Sequence, residues 1–117
     1  MALGNQFNID VKQGATFQLT ITWKDSAGTA IDLTGYTARA QARLTYDTST
    51  TIFSLTSSAG ITLGGAAGTI AIVIAAGTTA ALAAPWSGVW DLELVSGAGI
   101  VTRLLEGTAN VSPEVTR

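Results

Sequence analysis

In ATFQLTITW, Phe17, Leu19, Ile21 and Trp23 fall at every second position, with Gln18, Thr20 and Thr22 between them. A period of two is what a strand with one dry face and one wet face requires, because successive side chains leave a strand on opposite sides. The same period returns in YTARAQARLTY, where Ala38, Ala40, Ala42 and Leu44 alternate with Thr37, Arg39, Gln41, Arg43 and Thr45. Wound into a helix, those polar residues would spread around the whole circumference. As a strand they line up toward solvent.

Shorter strands are expected at 52–55 and 60–63. Residues 68–75 are apolar at both parities, which predicts a strand in the middle of a sheet. Trp90, Leu92 and Leu94 alternate with Asp91 and Glu93, and two further strands are expected at 100–105 and 107–111. Turn-forming groups separate these runs at short, even spacing: Lys12-Gln13-Gly14, Asp25-Ser26-Ala27-Gly28, Tyr46-Asp47-Thr48-Ser49, Gly64-Gly65 and Ser96-Gly97-Ala98-Gly99. Many short strands with regular turns predict one all-β domain over residues 1–117, an antiparallel two-sheet sandwich of about seven or eight strands. One short helix is expected at 79–84, with Thr78 as its N-cap and Pro85 as its stop, crossing between the sheets. The predicted core is Phe17, Leu19, Ile21, Trp23, Leu33, Ile70, Ile72, Ile74, Trp90, Leu92 and Leu94.

Residue types absent from the chain narrow the chemistry. There is no cysteine and no histidine. Disulfides, thiolate nucleophiles, the commonest general base and the commonest zinc ligand are therefore all missing. Lys12 and Lys24 have no partner in view for amine catalysis. The four arginines, Arg39, Arg43, Arg103 and Arg117, are scattered and form no basic stripe for a nucleic acid. Charged residues are 12% of the chain, about half the usual share. So lightly charged a surface suits a subunit inside an assembly, and it equally suits a Thr-rich β-protein of any kind.

No basic or apolar leader pattern opens the sequence. No charge occurs from Thr48 to Trp90, which raises the possibility of a membrane span. Alternation of Ile70, Ile72 and Ile74, the interruption at Gly77-Thr78-Thr79 and the lack of flanking basic residues predict a strand there instead.

Asp91 and Glu93 project from one strand face about 6.5–7 Å apart, a separation that glycosidases also use. Alternation alone already places polar residues there, and a solvated face accounts for them. Asp25, Asp32 and Asp47 sit in or near turns without the dense ligand spacing of a calcium loop. The glycine pairs precede no helix with the Lys-Ser/Thr of a phosphate loop. Trp23 and Trp90 fall on buried strand faces, which leaves Trp86, after Pro85, as an aromatic for the surface. In WKDSAGTAIDLTGY a hairpin turn and then a corner are expected, with Ile31 and Leu33 inward and Asp32 outward.

Four segments carry a resemblance: FNIDVKQGATF at 7–17, AGTAIDLTGYTARAQAR at 27–43, residues 68–94 with their closing WDLEL, and residues 103–117 ending in VTR. They resemble the small Ig-like β-sandwich proteins of tailed bacteriophages, related to the N-terminal domain of baseplate upper proteins. The spacing in the first segment is longer than the family pattern, and Trp90 stands where a tyrosine is common. The resemblance implies an Ig-like sandwich acting as a non-enzymatic virion subunit at a tail, baseplate or spike, assembled in the bacterial cytoplasm. It implies other virion proteins as partners, often a homo-oligomer, and no catalytic residue, cofactor or metal. A capsid decoration protein and a carbohydrate-binding or adhesin module are the alternatives. Contacts are expected at sheet edges, at Phe7 in the N-terminal arm, at Trp86, and at Pro113, Val115 and Arg117 in the tail.

Overall fold

The computed structural model describes residues 5–116. The expected contact at Arg117 and the first four residues of the N-terminal arm lie outside them. Nine strands follow in order: β1 Asn5–Gln6, β2 Ile9–Lys12, β3 Phe17–Thr22, β4 Thr37–Arg43, β5 Thr51–Thr56, β6 Ile61–Leu63, β7 Thr69–Ile74, β8 Trp86–Val95 and β9 Val101–Ser112. β1 and β2 are two halves of one edge strand, broken at Phe7 and Asn8, and both pair with β9. The larger sheet runs β1/β2–β9–β8–β4–β5 and the smaller runs β3–β7–β6. A helix of one turn, α1 (Ala76–Ala80), carries the chain from the smaller sheet to the larger. This division of strands between two layers, with crossovers between them, is that of an immunoglobulin-like sandwich.

The period-two reading holds where a strand has neighbours on both sides. Ile70, Ile72 and Ile74 of the central β7 are buried, as are Trp90, Leu92 and Leu94 of β8 and Ala38, Ala40 and Ala42 of β4. The alanines have a packing consequence. Cα atoms of β4 come within 8 Å of β6 across the sandwich, closer than the ~10 Å usual between packed sheets, and small inward side chains permit that approach.

Several expectations are corrected. Phe17, Leu19, Ile21 and Trp23 are half-buried rather than buried, because β3 is the outer strand of the narrower sheet and has a neighbour on one side only. Leu44 lies past the end of β4 and is 55% exposed. The core also takes Ile9 and Val11 from β2, Phe53, Ile61, and Leu105, Ala109 and Val111 from β9. The expected strands at 100–105 and 107–111 are one strand. Leu105 pairs with Leu92 while Arg103 pairs with Glu93, so Leu104 is an extra residue at a bulge. The sheets are not wholly antiparallel, since β1 and β2 run parallel to β9.

The helix begins earlier than the Thr78 cap predicts. Ala75 is its N-cap and makes no side-chain hydrogen bond. Thr79 is instead the anchor: fully buried, its hydroxyl donates to the Ala15 carbonyl (2.8 Å) and accepts from the Gly14 N–H (3.1 Å). The β2–β3 turn thereby holds the crossover in place. The corner at 31–36 forms as expected. Asp32 Oδ1 accepts from the backbone N–H and hydroxyl of Thr34 (3.0 and 2.6 Å), Leu33 is buried, and Tyr36 meets Trp23 edge to face at 6.1 Å.

Candidate functional site

The expected contact residues separate into two places. Trp86 and Pro113 come together. They line one shallow depression of about 400 Å³ with Pro85, Ser87, Asn110, Val111 and Ser112. The reason is register: Trp86 opens β8 opposite Val111, which brings it beside the end of β9. Trp86 is therefore a strand residue and half-buried, not a loop aromatic standing in solvent. Its indole lies over Gly88, where a Cβ would run into the ring and into the Arg43 carbonyl. No charged side chain lines the depression. Beyond Pro113 the chain leaves the sheet, and Val115 is 95% exposed.

Phe7 lies elsewhere. It sits at the break between β1 and β2, level with Gly107, four residues along β9 from Val111, or about 13 Å. Its backbone is tied at both ends: the N–H donates to Glu106 O (2.8 Å), and the carbonyl accepts from Trp90 Nε1 (2.7 Å). Asn8 Oδ1 accepts from the Thr108 N–H (3.0 Å). A Cβ on residue 107 would collide with the Phe7 carbonyl and Asn8 Oδ1. Trp90 is thus a core residue whose polar edge fastens the N-terminal strand. Sequence reasoning missed this role; the Gly-x-Ala-x-Val pattern at 107–111 is the signal that carries it.

The outer face of the larger sheet holds the remaining polar candidates. Asp91 and Glu93 do project together, but each has an arginine beside it. Arg39 Nε lies 2.7 Å from Glu93 Oε1, and Arg103 bridges Asp91 and Glu106 at 3.6 and 3.4 Å. Burial, and then the neighbouring Glu93, push the Asp91 carboxyl above the usual aspartate range, with Arg103 opposing them. Because ionisation is harder in the folded chain, Asp91 penalises folding above its folded pKa, and the penalty fades as pH falls toward the unfolded value. Asp91→Asn should therefore raise the thermal midpoint near neutrality, and the gain should vanish in acid. The same scan on wild type should show the opposite sign from Asp10. Hydrogen bonds from Ser112 and Lys12 hold its carboxyl below the usual range, so its contribution is present above the unfolded pKa and lost as pH falls.

Arg43 departs from the expectation of a free solvent-facing side chain. Half-buried, it donates to the carbonyls of Thr48 (2.9 Å) and Ser49 (2.5 Å) and to Gln41 Oε1 (2.8 Å). It holds the β4–β5 loop closed. Arg43→Ala should cost about 1–3 kcal/mol by leaving those acceptors without a donor. Arg39→Ala removes one half-exposed ion pair and should cost less than about 1 kcal/mol. Urea unfolding of the two variants distinguishes them.

Among the described residues, no group of three or more Asp or Glu is placed to hold a metal ion, and no helix is long and apolar enough to cross a membrane. The aromatic rings do not form a platform: Trp23 meets Tyr36, Trp86 covers Gly88, Trp90 is buried, and Tyr46 stands 78% exposed in the β4–β5 loop.

No family model matches the chain, and no curated protein matches it. Among solved structures it is similar to the extracellular domain of the voltage-gated sodium channel β4 subunit, described as parallel homodimers with a role in cell–cell adhesion. Identity there is 13%, coverage is 98% of each chain and the TM-score is 0.49. A second similar structure comes from work on multimeric cell-adhesive interactions of sodium channel β subunits. Identity is 12%, coverage is 97% of this chain and 96% of that one, and the TM-score is 0.46.

Proposed function

We propose that the chain is a non-catalytic structural subunit of a tailed-bacteriophage virion, at a tail, baseplate or spike, working through protein–protein contacts. The observation that carries the contact role is the uncharged depression where Trp86 and Pro113 meet, continued by the exposed Val115. A patch that offers an aromatic and no charged side chain loses little on being desolvated by a partner. The virion assignment rests on the segments at 7–17, 27–43, 68–94 and 103–117 that resemble phage Ig-like proteins. The low charge of the chain agrees with a subunit whose copies repel one another weakly.

The test compares the full chain with one shortened after Pro113, which keeps β9 whole. Both are weighed in solution by light scattering and scored for incorporation into particles. Incorporation of the full chain and a reduced level for the shortened one are expected. A full chain that stays monomeric when concentrated and is missing from purified virions overturns the proposal.

A further inference from the structure

On the outer face of the larger sheet, register sets polar side chains in a row across three strands. Gln41 of β4 opposes Asp91 of β8, and Asp91 opposes Glu106 of β9. Side chains so opposed stand about 4.5–5.5 Å apart at Cβ. On one flank of the row lies Arg103, opposite Glu93. On the other, the short apolar side chain of Val89 makes a gap in the polar face. With Tyr46 of the β4–β5 loop, these residues line a hollow of about 220 Å³.

One group in the hollow lacks a hydrogen-bond donor. Asp91 is half-buried, yet among the described residues none donates to its carboxylate, and Arg103 Nε stands off at 3.6 Å, beyond a hydrogen bond. Glu93 and Glu106 each have an arginine nitrogen closer, at 2.7 and 3.4 Å. A half-buried carboxylate left in that state gains from any ligand that brings donors to it.

The charge of the hollow decides which kind of ligand. Asp91 and Glu106 are matched by Arg43 and Arg103, so an anion or a cation would meet as many like charges as opposite ones. Acceptors and donors stand side by side, which suits a neutral group that is both at once. A hydroxyl is such a group. Tyr46, 78% exposed, offers a bare aromatic face. The C–H face of a sugar ring packs on a surface of that kind while its hydroxyls point past the edge. The volume lies below the ~300 Å³ at which pockets for drug-sized ligands begin, so one ring fits and a longer chain does not.

We propose that this hollow binds one neutral sugar ring, free or at the end of a glycan. The ring stacks on Tyr46, and its hydroxyls donate to Asp91 and Glu106 and accept from Arg103. This activity is separate from the contact patch at Trp86 and Pro113, and it stands whether or not the chain enters a virion.

The probes are glucose, galactose, mannose and N-acetylglucosamine, each titrated into isotope-labelled full chain while backbone amide shifts are followed. At least one should give saturable shifts centred on Gln41, Tyr46, Val89 and Asp91. Asp91→Asn, expected to be no less stable than wild type near neutrality, removes a charged acceptor and should weaken that binding about tenfold. Tyr46→Ala should weaken it too, with no change in unfolding midpoint, because the ring is exposed. The methyl glycosides of the same sugar identify the source. If one anomer binds as well as the free sugar, a glycan end fits; if neither binds, the occupant is a free sugar. Acetamide stands in for an Asn or Gln side chain of a partner protein and should give no such shifts. The proposal is overturned if no neutral sugar gives saturable shifts, or if either variant binds as well as wild type. It is also overturned if acetamide, glucuronate or glucosamine binds in preference to the neutral sugars.

Discussion

Replacing Ile72 with alanine should lower the unfolding free energy by about 2–5 kcal/mol. Ile72 is 2% exposed in the central strand of the smaller sheet, with Leu19 opposite on one side and Ile61 on the other. Deleting its three outer carbons leaves a gap that two rows of neighbours border, and strands held by ladders on both sides cannot close it. Domains of this size are stable by only about 5–15 kcal/mol, so the loss takes a large part of the total. Phe17→Ala, in half-buried β3, should cost less than truncation of a fully buried phenylalanine, because its site opens to solvent and water can fill it. A near-neutral Ile72→Ala in urea unfolding would mean that the buried face of β7 has been misassigned.

Gly107→Val is expected to cost about 3 kcal/mol or more, by a different mechanism. The new side chain would occupy the space of the Phe7 carbonyl and Asn8 Oδ1, and these are backbone and a bonded side chain, not flexible ends that can swing aside. Overpacking of this kind typically costs about 1–3 kcal/mol. Here β1 and β2 must also lift from β9, which strips Trp90 Nε1 of its acceptor inside a buried environment and adds a further penalty of about 1–3 kcal/mol. Hydrogen exchange should show the amides of Phe7 and Thr108 losing protection while β4 and β8 keep theirs. Gly97→Ala is the control. Its Cβ would lie 3.6 Å from the Gly35 carbonyl, an ordinary contact, and stability should hardly change. If Gly107→Val matches Gly97→Ala, the stitched N-terminal strand contributes nothing.

The expected contact residues Trp86 and Pro113 could be picked out one by one, as an aromatic and an imino acid beside turns. Their sharing of one depression could not, since it depends on Trp86 pairing with Val111. Arg43 reads in sequence like Arg39, four positions away on the same face. Only the fold of the β4–β5 loop puts carbonyls around Arg43, and only pairing with β8 puts the Glu93 carboxylate beside Arg39.

Local chemistry in the chain determined the sandwich, because a two-residue period needs no knowledge of distant partners. Ile70, Ile72 and Ile74, the alanines of β4, the alternation around Trp90 and the Asp32–Thr34 corner all follow from neighbours within a few positions. What the tertiary structure decided lies in relations across long separations. Parallel pairing of β2 with β9 joins residues about a hundred positions apart, and no local pattern marks it. The bulge at Leu104 depends on register against β8. The half-exposure of β3 depends on one sheet being narrower than the other. Strand order has no period to read, because it is settled by which edges find a partner once the whole chain has collapsed.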